Sequence, residues 1–368
     1  MIDFFSSDYF TARDRFRSGV LANGGQIESI LLNAKGPMGQ DLTIDIGWFG
    51  TSNPDRAFIH ASGVHGVEGF AGSAIQLQWL EEGITLPSDE CAVGVVHVMN
   101  PYGMAWLRLV NENNVDVNRN FLAADEEYSG VSENYEGLRE LLNPVSPPAG
   151  GLFGLLAAWR AFRLGKRNFR RATTGSQYNY PKALAYGGRH HEQATRCFQL
   201  YISGRLAFSE RVVVVDVHTG AGKLGEDSLL VDGADCRLEN AAAMQLAWGD
   251  RVRAMPEPTR GSLDGLFFRM FPAARVCFAM QEFGTCSEMA ALAAARTENW
   301  QHHFGDPAEL DSKGKEDLLR TFCPESAEWR TTVLERGREV IHQGLKLAFD
   351  THRPAATLTN TARQLPPG

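Results

Sequence analysis

The sequence predicts an α/β fold, a twisted and mostly parallel mixed sheet with helices on both faces. Three observations carry that reading. Arg211-Val212-Val213-Val214-Val215-Asp216 holds four consecutive valines, which marks a central strand buried on both faces, as parallel strands are. Further apolar runs at 57–62, 91–99 and 275–285 are separated by stretches of helical periodicity, the alternation that a sheet layered between helices produces. Polar residues break these runs at their carboxyl ends, where open α/β sheets place their ligand sites.

The 368 residues are 43% hydrophobic and 22% charged, the profile of a globular chain with a sizeable core. That length suits one large domain or two ordinary ones. The elements below favour a single domain over 1–352, with an inserted lid at 122–190 and a flexible tail at 353–368. A formal charge of −8 argues against a dedicated nucleic-acid binder, which is normally basic. The amino-terminal run Met1-Ile2-Asp3-Phe4-Phe5 is followed by polar residues and is too short in apolar length for a secretory signal. No window approaches an unbroken membrane-spanning length. The six cysteines include no C-x-x-C pair and read as reduced thiols. Together these features predict a cytoplasmic protein without nucleic-acid or membrane partners.

Taken in order, residues 8–20 read as a surface helix, and 26–32 and 42–49 alternate as half-exposed strands at an antiparallel edge. The strand at 57–62 leads into Gly63-Val64-His65-Gly66-Val67-Glu68-Gly69, followed by a helix over 70–80 that Gly83 ends. His65 thus sits in a strand-to-helix turn, with Glu68 three residues on and on the same side. The pair suits a shared cation, or simply a hydrogen bond within the turn. After the strand at 91–99, Asn100-Pro101-Tyr102-Gly103 marks a turn. Arg108 and the run Val115-Asp116-Val117-Asn118-Arg119-Asn120-Phe121 then form a compact polar stretch.

Residues 122–190 are longer than a simple connection needs. Within them Leu152, Leu155, Leu156, Trp159 and Phe162 fall at helical spacing, among and before Arg160, Arg163, Lys166, Arg167, Arg170 and Arg171. This reads either as a helix packed by its apolar stripe with a solvated basic face, or as a cationic lid over a carboxylate-bearing substrate. Asp216 and His218 project from one face of the valine strand at its end. Burying Asp216 there is costly unless it is paired. Val276, Phe278, Met280 and Glu282 share a face, so the Glu282 carboxylate emerges at the carboxyl end as His218 does. Helices follow at 286–298 and 316–349. Five further histidines, His190, His191, His302, His303 and His342, read as surface residues.

With His65 and Glu68 upstream, Asn-Pro-x-Gly followed by V-D-x-N-R-N-F resembles the carboxypeptidase A-like zinc metallopeptidases. That superfamily also holds the aspartoacylase and succinylglutamate desuccinylase deacylases. The D-x-H-T-G at 216–220 is similar to its second zinc-histidine motif, and the strand carrying Glu282 to its terminal strand. The resemblance covers roughly 57–121 and 211–290. It implies one zinc ion on His65, Glu68 and His218, a nitrogen–nitrogen–oxygen set with one open position. It further implies Glu282 as general base, Arg108 polarising the scissile carbonyl, and Asn118 with Arg119 gripping a substrate carboxylate in a two-pronged bond. Asp116 would orient His65 from behind, with Asp216 doing the same for His218. The expected substrates are small peptides or acyl amino acids, and the expected reaction is hydrolysis of an amide near a free carboxylate. Gly261-Ser262-Leu263-Asp264 resembles the turn beside the carboxypeptidase specificity pocket. The tyrosine those enzymes carry shortly before it is missing here, which leaves Tyr178, Tyr180 or Tyr186 as replacements. Two alternatives stay open: an N-acyl amino acid deacylase, and a non-catalytic zinc- or ligand-binding protein on the same fold.

Overall fold

A computed structural model describes residues 3–148, 150–232, 236–255 and 259–350. The expected tail at 353–368 lies outside the described residues. Eight strands form one sheet: β1 (Gln26–Lys35), β2 (Asp41–Gly50), β3 (Arg56–Ser62), β4 (Cys91–Val96), β5 (Arg211–Ala221), β6 (Asp227–Val231), β7 (Val252–Ala254) and β8 (Arg275–Cys286). Their spatial order is β1-β2-β4-β3-β5-β8-β6-β7. The centre, β4-β3-β5-β8, is parallel throughout. β1 and β2 form an antiparallel edge as expected, but β2 is buried from Leu42 to Phe49 and not half-exposed, because helices cover both of its faces. The other edge, antiparallel β6 with β7 beside it, is too short to have left a periodic signal.

The valine strand explains why helices cover both faces. Val213, Val215 and Val217 point into one core with Phe58, Val93 and Val95, covered by helices Tyr9–Ala22, Gly69–Glu82 and Ala327–Phe349. Val212 and Val214 point into a second core with Ile44, Ile46 and Ile59, covered by helices Gln193–Leu206 and Leu263–Met270. Successive side chains alternate across the sheet, so one apolar run serves both layers. The first helix is more than a surface element: Tyr9, Ala12, Phe16 and Val20 are all buried. The helix expected over 316–349 is two, Lys313–Phe322 and Ala327–Phe349. Pro324 lies in the break, and the Ser326 hydroxyl accepts from the Trp329 amide to start the second.

The register brings the chemistry-bearing ends together. β5 and β8 run in step, with His218 opposite Glu282. β3 ends with Ser62 opposite Val217, which puts His65 three residues beyond the strand at the same end of the sheet.

Residues 122–190 contain helices Tyr135–Leu142, Gly150–Leu164 and Lys166–Thr174. They share a small core of their own, where Tyr135, Leu138, Phe153 and Phe169 pack against Met289 and Leu292 of helix Glu288–Phe304. The apolar stripe of Gly150–Leu164 does not face that core. Phe153 and Ala157 are buried, whereas Leu152, Leu155, Leu156, Trp159 and Phe162 are exposed. The reading of a helix packed by that stripe is therefore corrected.

Candidate metal centre

His65 has extended backbone and precedes a single 3-10 turn, Gly66–Glu68, that runs straight into helix Gly69–Glu82. Two glycines make the turn fit. Gly63 has φ 65°, a conformation that glycine adopts without strain. Gly66 lies so close to the Gly103 backbone of the Asn-Pro-Tyr-Gly turn that any side chain would collide with it. The two motifs are thus packed backbone to backbone.

The turn delivers both side chains to one point. His65 Nδ1 lies 3.1 Å from Glu68 Oε1, and His218 Nδ1 lies 3.1 Å from Glu68 Oε2. The Thr219 backbone N–H also donates to Glu68 Oε2, at 3.2 Å; a main-chain donor carries no sequence signal. Donor atoms of His65, Glu68 and His218 all lie within 4.8 Å of one another. That spacing suits one ion with bonds of about 2.0–2.2 Å.

Behind each imidazole stands a carboxylate. His65 Nε2 lies 3.1 Å from Asp116 Oδ1, and His218 Nε2 lies 2.8 Å from Asp216 Oδ2. Both rings therefore turn the same nitrogen, Nδ1, toward the shared point. The other oxygen of Asp216 is buried and has no hydrogen-bond partner. Asp116 also holds the next motif: its Oδ1 accepts from the Asn118 N–H at 3.0 Å, and its Oδ2 accepts from Arg119 Nη1.

The electrostatics are those of a site built for positive charge. Burial alone would lower His65, but Asp116 and Glu68 overcome it and hold the imidazole up at about 9. Burial likewise opposes His218, yet Asp216 and Glu68 keep it well above the ordinary histidine value. Burial would raise Glu68; His65 and then His218 bring it down to about 2. Asp116 is pulled well below the carboxylate range because Arg119 and His65 outweigh its burial. The two nitrogens and one oxygen fit a divalent ion such as zinc, which would replace the protons this cluster otherwise holds.

Glu282 stands next to this set without joining it. It shares a register position with His218 on the neighbouring strand. Burial and the Glu68 charge push it up, His218 and His65 pull it down, and it rests at about 7. Arg119 reaches from the Asp116 side. Its Nη2 donates to the Thr174 carbonyl at 2.6 Å, and its Nε is buried without a partner. The Asn118 carboxamide oxygen accepts from the Leu263 N–H at 2.9 Å. A cavity of about 450 Å³ opens beyond the ends of β5 and β8, bordered by Arg170, Ala221, Gly222 and Glu288.

Arg108 is placed differently from the expectation. It is fully buried, with Nε donating to Glu298 Oε1 at 2.7 Å and Nη2 to Asn114 Oδ1 at 2.9 Å. Its Nη1 is buried without a partner, and the guanidinium is held in an ion pair and not presented at the surface of the structure. Its partner Glu298 lies 190 residues away in sequence, beyond the reach of any motif. Two of the three tyrosines commit their hydroxyls elsewhere. The Tyr178 hydroxyl donates to the Arg119 carbonyl at 2.9 Å, and the Tyr180 hydroxyl to Glu136 at 2.6 Å. Tyr186 is buried, and its carbonyl accepts from the Asp116 N–H at 2.7 Å.

No curated protein matches the sequence. Several solved structures are similar to it at low identity. The murein-tripeptide amidase MpaA of Escherichia coli O157 is 16% identical over 78% of this chain and 93% of its own, with a TM-score of 0.37. A succinylglutamate desuccinylase/aspartoacylase family protein of Shewanella amazonensis SB2B is 17% identical over 76% and 72%, with a TM-score of 0.39. The carboxypeptidase A of Helicoverpa armigera is 12% identical over 86% and 75%, with a TM-score of 0.43. A family profile matches residues 5–336, and by that match the chain belongs to the family described as protein of unknown function DUF2817.

Proposed function

We propose that the chain is a zinc-dependent hydrolase that cleaves an amide bond near a free carboxylate, acting in carboxypeptidase fashion on small peptides or peptide-like conjugates. The observation that carries this reading is the meeting of His65, Glu68 and His218, with Glu282 beside them and outside the donor set. His65 Nδ1, His218 Nδ1 and a Glu68 oxygen would hold the ion, leaving one position open. Zinc, when bound, supplies the Lewis acidity that makes water nucleophilic near neutral pH. The remaining work falls to the chain's own residues. Glu282 takes the proton of the attacking water and returns it to the leaving amine. Arg119 and Asn118 hold the substrate carboxylate and so fix the scissile bond against the ion. Asp116 and Asp216 fix the two imidazoles from behind, a support that metal histidines normally need.

A second reading is an N-acyl amino acid deacylase using the same residues. The disposition of the tyrosines favours it, because Tyr178 and Tyr180 spend their hydroxyls on Arg119 and Glu136, leaving neither for the part a carboxypeptidase tyrosine plays. A panel of dipeptides and N-acyl amino acids offered to the zinc-loaded protein separates the readings. We expect chelator-sensitive turnover of at least one class, and the class that turns over decides between peptidase and deacylase. Saturable binding of these compounds with no turnover would instead support a non-catalytic zinc protein and overturn the proposal.

A further inference from the structure

The exposed face of helix Gly150–Leu164 has no part in the chemistry above. Leu152, Leu155, Trp159 and Phe162 are 63%, 70%, 51% and 85% exposed, on one side of the helix. The opposite side is fixed, since Phe153 and Ala157 are buried with Phe169 and Ala172 of the following helix. The helix is therefore held from behind and presents large apolar side chains outward.

The charge of the surrounding segment is one-sided in sequence, although Arg170 and Arg171 pair with Glu288 and Glu133. Between Glu140 and Glu192 the chain has no acidic residue and eight Lys or Arg, which leaves the rest of the chain at −16. Arg160 and Arg163 are exposed and lie 5.2 and 5.7 Å from the Trp159 ring, within the apolar face itself. Lys166 is exposed just beyond it. Apolar and aromatic side chains flanked by cations are what an interfacial helix presents to a bilayer surface carrying anionic lipid. A second copy of the chain suits this face less well, because a two-fold contact would set Arg160 and Arg163 against themselves.

We propose that helix Gly150–Leu164 docks the protein on an anionic lipid surface. The docking is peripheral: among the described residues no helix is long and apolar enough to cross a membrane. It departs from the expectation of no membrane partner, which rested on the absence of a spanning segment. Docking would also set the cleft close to the lipid. The following helix carries Arg170 at the cavity beyond β5 and β8, and its last residue, Thr174, accepts the bond from Arg119.

Co-sedimentation of the full chain with extruded vesicles tests the proposal. Vesicles of phosphatidylcholine mixed with phosphatidylglycerol should bind it, vesicles of phosphatidylcholine alone should bind it far less, and added salt should release it. The surface variant Leu155→Ser with Phe162→Ser should lose affinity for the mixed vesicles by on the order of tenfold or more. Arg160→Gln with Arg163→Gln should do the same, with a shallower salt dependence. Unchanged urea unfolding in these variants would show that the loss lies at the surface. Failure of the parent to bind mixed vesicles overturns the proposal, as does undiminished binding by the Leu155/Phe162 variant. A parent dimer in sedimentation analysis that the same variant dissociates would assign the face to a second copy instead.

Discussion

At the carboxyl ends of β3 and β5, two imidazoles meet one carboxylate around a common point, each imidazole backed by a further carboxylate, with the His65 side chain 17% exposed. Elsewhere in the chain Arg108 closes on Glu298, with side chains 0% and 4% exposed. Both arrangements bury charge, and each answers that burial differently. Arg108 and Glu298 neutralise each other with a short bond, and Asn114 takes a further donor. Around Glu68 the same balance requires a cation or protons, because the side-chain nitrogens facing it, His65 Nδ1 and His218 Nδ1, belong to imidazoles, and the further donor there, the Thr219 N–H, is neutral. Glu282 adds one more carboxylate and is pushed up to about 7 as a result. A closed ion pair needs no outside charge, whereas the convergent set around Glu68 could hold a metal ion.

Substitutions can break that contrast at several strengths. The largest effect should come from Glu282→Gln, which keeps shape and removes the base. We expect kcat on whatever substrate the panel identifies to fall by roughly 10²- to 10⁴-fold, with zinc still bound. Parent-like turnover in this variant would move the base elsewhere. Next, Arg108→Met leaves Glu298 as an unpaired buried charge and should destabilise the fold by about 3–5 kcal/mol in urea unfolding. Joining it to Glu298→Leu should recover most of that loss. An Arg108→Met variant of full stability but much reduced kcat would restore the polarising role and dissolve the distinction drawn here.

A smaller effect is expected from Asp116→Asn, which withdraws the carboxylate from His65 Nε2 while keeping the side chain's volume. Zinc affinity or turnover should drop by about 10–100-fold, and unchanged values for both would count against an orienting role. The buried histidines outside the site extend the comparison to pH. His60 and His97 have no carboxylate at hand, and burial drives both down to about 3. Their folded value lies below the unfolded value of 6.5, so the unfolded chain takes up protons first on acidification. Their contribution to stability is present above about pH 6.5 and is lost as the pH falls toward 3. Between pH 7 and 5 each should account for on the order of 2 kcal/mol. His97→Asn should therefore show a loss smaller by about that amount than the parent over the same interval. An equal loss in both proteins would mean that His97 is not held neutral in the folded state.

The sheet was legible because its signals are local, whereas joining His65 and Glu68 to the distant His218 rested on the motif resemblance. Four valines fix a two-faced strand, a two-residue period aligns Asp216 with His218 and Val276 with Glu282, and His65 precedes Glu68 by one turn. What was not legible depends on partners distant in sequence. Helical spacing identifies the stripe from Leu152 to Phe162, but not which side of the helix the core takes. That choice belongs to Phe169 and to Met289 and Leu292, with which Phe153 packs. Arg108 likewise looks available until Glu298 is brought against it. The edge strands β6 and β7, at five and three residues, are too short for periodicity to register.

Zinc titration of the metal-free protein by calorimetry tests the central claim most directly. We expect one ion per chain, binding abolished or severely weakened in His65→Ala and His218→Ala, and binding retained in Glu282→Gln. A parent that binds no zinc, or a His218→Ala variant that binds it as the parent does, would contradict the assignment of His65, Glu68 and His218 as one metal centre.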